Sequence, residues 1–223
     1  MPLPERVHLV VLFGGRSAEH DISCVTAAAV LGALDRARYD VTPIGITKAG
    51  DWFRNDEAMA VLGAAGADES PALPERLTPS GTAVEPHGVL ASRAGDDVPV
   101  VVLPLLHGPH GEDGTIQGLL ELADLAYVGT GVLGSAMAMD KAAAKEVLAY
   151  HGLPQCSWES VRVSEIDATV LDRVEDRLGY PVFVKPANMG SSVGVSRAVD
   201  RAALEAAVTE AARFDDWIVF EEH

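Results

Sequence analysis

The stretch VFVKPANMGSSVGV, residues 182–195, decides how this chain is read. A short β-rich run carries Lys185 and breaks at Pro186. A small-residue loop follows, Gly190-Ser191-Ser192, and a second apolar run begins at Val193. Such a pattern predicts a strand–loop–strand hairpin, with a lysine on one arm and unhindered N–H groups at the tip. A lysine is a compact cationic partner for phosphate, and open amides can point at phosphate oxygens. It is not a Walker A loop, because no Gly-Lys-Ser/Thr follows a Gly-x4 spacer. Taken alone, the same residues also describe an ordinary hairpin with a solvated lysine. The rest of the chain favours the phosphate grip.

The chain has 223 residues, enough for one large domain or two small ones. Hydrophobic residues make up 48%, which supports a sizeable core. The formal net charge of −16 argues against nucleic acid and anionic membranes as partners. It does not argue against a nucleotide, because a few local lysines outvote distant charge at short range. The two cysteines, Cys24 and Cys156, lack CxxC or His–Cys spacing and are expected to be buried free thiols. No apolar window approaches the ~18 residues of a membrane span, and no signal segment is evident. The expectation is a soluble, cytoplasmic chain.

Working outward from the hairpin, residues 7–13 form an apolar run that predicts a strand buried on both faces. Gly14-Gly15 turns it, Ser17 is positioned to cap a helix running to about Leu34, and residues 41–46 form the next strand. Residues 54–97 read as an irregular insertion with short elements. Residues 98–106 are the strongest buried strand and lead through HGPHGEDG, residues 107–114, into a helix over 115–123. A long helix is expected from about Ser135 to Tyr150, stopped by Gly152 and Pro154. After it come a strand over 158–163, a helix from Ser164 to Leu178, the Lys185 hairpin, a helix over 201–213 and a strand over 217–220. The strand pattern stops at Glu221-Glu222-His223, as in a domain that continues.

Four motifs together resemble the D-alanine–D-alanine ligases of the ATP-grasp superfamily: FGGRSAEHDIS (13–23), LLHGPHGEDGTIQG (105–118), MDKAAAK (139–145) and the 182–195 hairpin. They occur in family order and at family-like separations. The resemblance implies an α/β, doubly wound parallel-sheet domain over residues 1–135. An α+β ATP-grasp domain over 136–223 follows, its last lobe incomplete. It implies that ATP phosphorylates the carboxylate of one D-alanine, and that the amine of a second D-alanine displaces phosphate. The dipeptide then serves peptidoglycan synthesis. A homodimer through the N-terminal domain is also implied.

The resemblance assigns roles residue by residue. Glu19 anchors the ammonium of the first D-alanine, although spacing alone equally gives a helix-start acid favoured by the dipole. His107 lies beside the substrates, where a strand end gathers ligands, although a satisfied packing histidine is the ordinary alternative. Lys141 and Lys185 are the two nucleotide lysines. For Lys141 a solvated helix lysine remains open, whereas Lys185 lies in an apolar strand where an unused charge is costly. Gly190, Ser191 and Ser192 close over the phosphates, and Ser191 also helps hold Glu19 and a lid. Glu221, and less firmly Glu222, meets the adenine amino group. Gly108, Gly111 and Gly114 read as turn glycines, Glu112 and Asp113 as helix caps, and the tryptophans as packing.

Mg2+ or Mn2+ is implied, with ligands beyond residue 223 and no metal ligand assigned within the chain. The 223 residues are expected to be an inactive piece of the ligase. D-lactate as second substrate, or another ATP-grasp carboxylate–amine ligase, remains an alternative. So does a non-catalytic nucleotide-binding module. A dinucleotide-binding oxidoreductase is disfavoured, because GGRSAEH lacks the third glycine of GxGxxG.

Overall fold

The computed structural model describes residues 5–63, 72–86, 88 and 98–223. Two compact units divide the chain, Met1–Val132 and Leu133–His223.

In the first unit, β1 (Val7–Gly14) forms the centre of a sheet because its apolar run serves both faces. Leu9, Val11 and Phe13 pack with Cys24, Ala27 and Leu31 of α1 (His20–Ala33). Val10 and Leu12 pack with Ile116 and Leu120 of α3 (Thr115–Leu122). Strand β1 pairs in parallel with β2 (Tyr39–Ile46) on one side and β5 (Val100–Pro104) on the other, and β5 pairs in parallel with β6 (Ala126–Tyr127). The expected parallel core is therefore present, with helices on both faces. It carries in addition an antiparallel edge, β3 (Trp52–Arg54) and β4 (Thr82–Ala83), giving the order β4-β3-β2-β1-β5-β6. The edge arises because Thr47 N donates to Asp51 O at 2.9 Å, folding the chain into a tight hairpin. Of the expected irregular insertion over 54–97, α2 (Asp56–Gly63) and β4 are described. Residues 64–71, 87 and 89–97 lie outside the described residues.

The C-terminal ends of β1 and β5 are cross-linked by Ser23. Its hydroxyl accepts from Gly14 N at 2.8 Å and donates to Leu105 O. Gly14 is required at the turn: its φ is +87°, and a Cβ there would lie 2.3 Å from Ile46 O.

The second unit contains α4 (Val132–Met139), α5 (Lys141–Tyr150), β7 (Trp158–Arg162), a 3-10 turn (Val163–Glu165), α6 (Ala168–Leu178), β8 (Val182–Pro186), β9 (Ser196–Ala198), α7 (Arg201–Ala211) and β10 (Trp217–Glu222). Its sheet is antiparallel, in the order β7-β10-β8-β9. Alternation sends Val161, Val182, Val184, Ile218 and Phe220 into a core with Val170, Val174 and Leu204 of α6 and α7. The residues between them, among them Trp158, Phe183, Lys185, Val219 and Glu221, share the opposite face. There α5 seats Ala142 against Ala187 and Val219.

Several expectations change in detail. The single helix over 135–150 is two helices, because Asp140 leaves the helical backbone (φ −76°, ψ 106°) and accepts from Ala143 N at 2.9 Å as an N-cap. The helix expected from Ser164 starts at Ala168, capped by Asp167 through Val170 N. Residues 193–195 belong to the hairpin loop, where Val193 N and Val195 N bond back to Gly190 O and Ser192 O. The last strand runs on through Glu222, paired with Val182. Cys24 is buried as expected, and burial pushes its thiol up to about 11, but Cys156 is exposed.

Candidate nucleotide site and the substrate-side turn

In the second unit a cleft of about 360 Å3 is lined by Lys141, Lys185, Gly190, Ser191 and Ser192, with Phe183, Met189 and Val195 as its apolar part. Five of the residues singled out in the sequence therefore meet in one place. The hairpin loop bends through Ser191 and Ser192, both left-handed at φ 48° and 59°. That conformation is costly for residues bearing a Cβ and is held by the surrounding turns. Among the described residues, the N–H groups of Gly190, Ser191 and Ser192 meet no acceptor.

The helix break at Asp140 places Lys141 at the start of α5, where its own N–H donates to Ala187 O at 3.1 Å. Its ammonium donates to the carbonyls of Pro186 (3.2 Å), Ala187 (3.1 Å) and Met189. It is thus neither a solvated helix lysine nor a free cation: it clamps the stem of the loop. Burial, and then the charge of Lys185, holds its ammonium below the usual lysine value. Asn188, which sequence reasoning did not single out, secures the same stem. Its N–H and side-chain amide donate to Asp215 at 2.7 and 3.0 Å, and the amide also reaches Asp140 at 3.2 Å. An Asn at a loop stem carries no special sequence signal, because its two carboxylate partners are distant along the chain.

Lys185 pairs with Glu221 Oε2, and Lys145 lies 3.2 Å from Glu221 Oε1. A charge inside an apolar strand was expected to need a ligand, and Glu221 supplies part of that compensation. Burial would raise the Glu221 carboxyl; the hydrogen bonds and charges of Lys185 and then Lys145 outweigh it and hold it below the usual glutamate value. Glu222 is not brought to the cleft. Alternation turns it to the other face, where its carboxylate accepts from Ser157 N at 2.6 Å. Trp158, expected in the core, faces the Lys145 ammonium, 5.8 Å from its ring centre.

In the first unit the residue at the N-terminal end of α1 is Glu19. It makes no ion pair among the described residues, and its Oε2 lies against Gly108, where a Cβ would sit 3.4 Å away. Ser17 does not cap the helix directly; its hydroxyl accepts from Glu19 N at 3.2 Å. His107 follows β5, and its Nε2 is buried with no hydrogen-bond partner among the described residues. Neither acid is the N-cap of α3, which is Gly114: Asp113, one residue earlier, accepts from Thr115 N at 3.0 Å and His110 N at 2.8 Å, and Glu112 accepts from Gly108 N at 2.7 Å and stiffens the turn. Among the described residues no three His, Cys, Asp or Glu side chains gather as a metal would require, and no helix is long and apolar enough to cross a membrane.

A parallel-cored α/β unit followed by an antiparallel unit with a lysine-bearing Gly-Ser hairpin is the architecture of the ATP-grasp ligases. The family profile described as "D-ala D-ala ligase N-terminus" matches residues 8–130, and "D-ala D-ala ligase C-terminus" matches residues 147–223. The chain belongs to the D-alanine–D-alanine ligase family. It is 49% identical to the D-alanine–D-alanine ligase of Kineococcus radiotolerans, covering 96% of this chain and 59% of the relative. It is 45% identical to that of Paenarthrobacter aurescens, covering 99% and 60%. Among solved structures, the D-alanine–D-alanine ligase of Coxiella burnetii superposes with a TM-score of 0.80 at 33% identity, covering 99% of this chain and 62% of that one. The VanG D-Ala:D-Ser ligase of Enterococcus faecalis superposes at 0.77 with 31% identity, covering 98% and 63%. The chain thus spans about three-fifths of the length of these relatives.

Proposed function

We propose that this chain carries the nucleotide grip and the first-substrate side of an ATP-dependent D-alanine–D-alanine ligase, whose dipeptide product feeds peptidoglycan synthesis. The observation that carries the reading is the cleft where Lys141 and Lys185 meet three N–H groups that find no acceptor among the described residues. The Lys185 ammonium and a row of amides supply donors to a polyphosphate, and Lys141, its own donors spent on the loop stem, adds positive charge beside them. On this reading Gly190, Ser191 and Ser192 donate to phosphate oxygens, and Lys185 neutralises their charge. Glu221, held ionised, accepts from the adenine amino group. Glu19, a carboxylate with no ion pair among the described residues, takes the ammonium of D-alanine, and His107 stands beside the substrate carboxylate. ATP supplies the phosphoryl group that activates that carboxylate.

The family implies Mg2+ or Mn2+. The described donor set does not fit such an ion: the cleft offers ammonium groups where a hard cation needs several oxygens. No step is assigned through a metal. The 223 residues therefore bind ATP without D-alanine-dependent phosphate release, and measured release from this chain would contradict that. Action in the cytoplasm and assembly as a homodimer through the first unit belong to the same reading; sedimentation at micromolar concentration reads the dimer directly.

Calorimetry tests the grip. The chain is expected to bind ATP at micromolar Kd, weakened at least tenfold by Lys185→Ala, a loss of about 1.4 kcal/mol or more. Equal ATP affinity in the variant would sink the assignment.

A further inference from the structure

Glu221 is held by two lysines from opposite sides, and only one of them belongs to the expected nucleotide set. Across the sheet, Phe183, Glu221 and Trp158 stand in one row, since Glu221 pairs with Phe183 on β8 and with Trp158 on β7. Above this row the cations are arranged as two brackets. Lys185 binds Glu221 Oε2 and sits 5.6 Å from the Phe183 ring centre. Lys145 binds Glu221 Oε1 at 3.2 Å and sits 5.8 Å from the Trp158 ring centre. The Lys145 side chain is only 14% exposed and that of Glu221 12%. Cys156 Sγ lies 3.5 Å from the Lys145 ammonium and closes its far side. Lys145 is one helical turn after Lys141 on α5, so the helix that clamps the loop stem also delivers the second bracket.

A carboxylate bound by one lysine can swing so that both oxygens face that cation. A carboxylate bound by a different lysine on each oxygen cannot: its plane is fixed, and each oxygen keeps lone pairs for a third partner. We infer that Lys145 is a positioning residue that sets the base specificity of the site: it orients Glu221 to accept from an exocyclic amino group and to reject a 6-oxo purine. The inference rests on the reading of Glu221 as the adenine acceptor. A 6-oxo group turns a lone pair toward an ionised carboxylate and leaves it without a donor. Lys145 touches neither base nor phosphate and acts through Glu221 alone.

The test compares ATP with inosine triphosphate by calorimetry on the 223-residue chain, on Lys145→Met and on Lys145→Arg, with a thermal melt of each. The wild-type chain is expected to prefer ATP by about tenfold or more. In Lys145→Met that preference falls to within about threefold, chiefly by weaker ATP binding, and Lys145→Arg restores it. Should the Met variant fail to fold, Lys145→Gln, which removes the charge, shortens the reach and keeps a polar side chain, reads the same ratio. An unchanged ATP preference in folded Lys145→Met, or in Lys145→Gln where it stands in for the Met variant, overturns the inference while leaving the adenine reading of Glu221 intact. A wild-type chain that binds both nucleotides equally, or neither, overturns both.

Discussion

At the scale of the residue, Glu221 is where charge, burial and recognition meet. Its carboxyl is depressed in the folded chain, so the stability it contributes is complete above its unfolded value near 4.5 and is lost as pH falls through the lower folded value. Glu221→Gln leaves Lys185 and Lys145 facing each other without a counter-charge. Both are partly solvated, at 23% and 14% exposure, so the expected cost at pH 7 is about 1–3 kcal/mol. Urea midpoints of variant and wild type should converge as pH falls through the lowered folded value, below which the wild-type carboxyl is also neutral. A gap that stays constant with pH would show that the loss is not electrostatic. Lys185 was legible in the sequence because an ammonium in an apolar strand needs a partner. That part of the partner is Glu221, 36 positions away, was not legible, since pairing across β8 and β10 is fixed only by register. Glu222 shows the same limit from the other side: adjacent in sequence to Glu221, it is turned away by the pleat.

At the scale of the element, the hairpin and the break between α4 and α5 do most to build the cleft. The hairpin was readable from its Gly-Ser tip and flanking β-rich arms. Its loop is longer than the apolar pattern suggested, because Val193 and Val195 spend their N–H groups on turns within it. The helix break was hidden by continuous helical composition from Ser135 onward. Its signal is a lone Asp140, whose side chain competes for the backbone of α5 and also meets Asn188. Asp140→Ala is expected to cost about 1–2 kcal/mol through the lost cap. It should also weaken ATP binding severalfold, because Lys141 and the loop stem lose their register. Asp140→Asn, which keeps the cap, should retain most of both. Equal ATP affinity in Asp140→Ala would show that the break does not position the grip. Within residues 54–97, β4 was not legible, since its two residues depend on pairing with β3 at the sheet edge rather than on periodicity.

At the scale of the whole molecule, a chain of net charge −16 concentrates three lysines, Lys141, Lys145 and Lys185, about one carboxylate. Global charge therefore says little about this ligand; local charge decides it. The fold class was readable because each unit keeps its own pattern, doubly buried strands in one and alternating strands in the other. Without a cluster of oxygen donors among the described residues, chelating Mg2+ is expected to change the ATP affinity of this chain by less than about threefold. A larger loss in calorimetry would reveal a metal-dependent grip. The most direct measurement of the central claim is the amide NMR spectrum of the chain during ATP titration. The account predicts that the N–H signals of Gly190, Ser191 and Ser192 move most, in step with the Lys185 ammonium, and do not move with adenosine alone. Saturable ATP binding that leaves those three amides unmoved would contradict it.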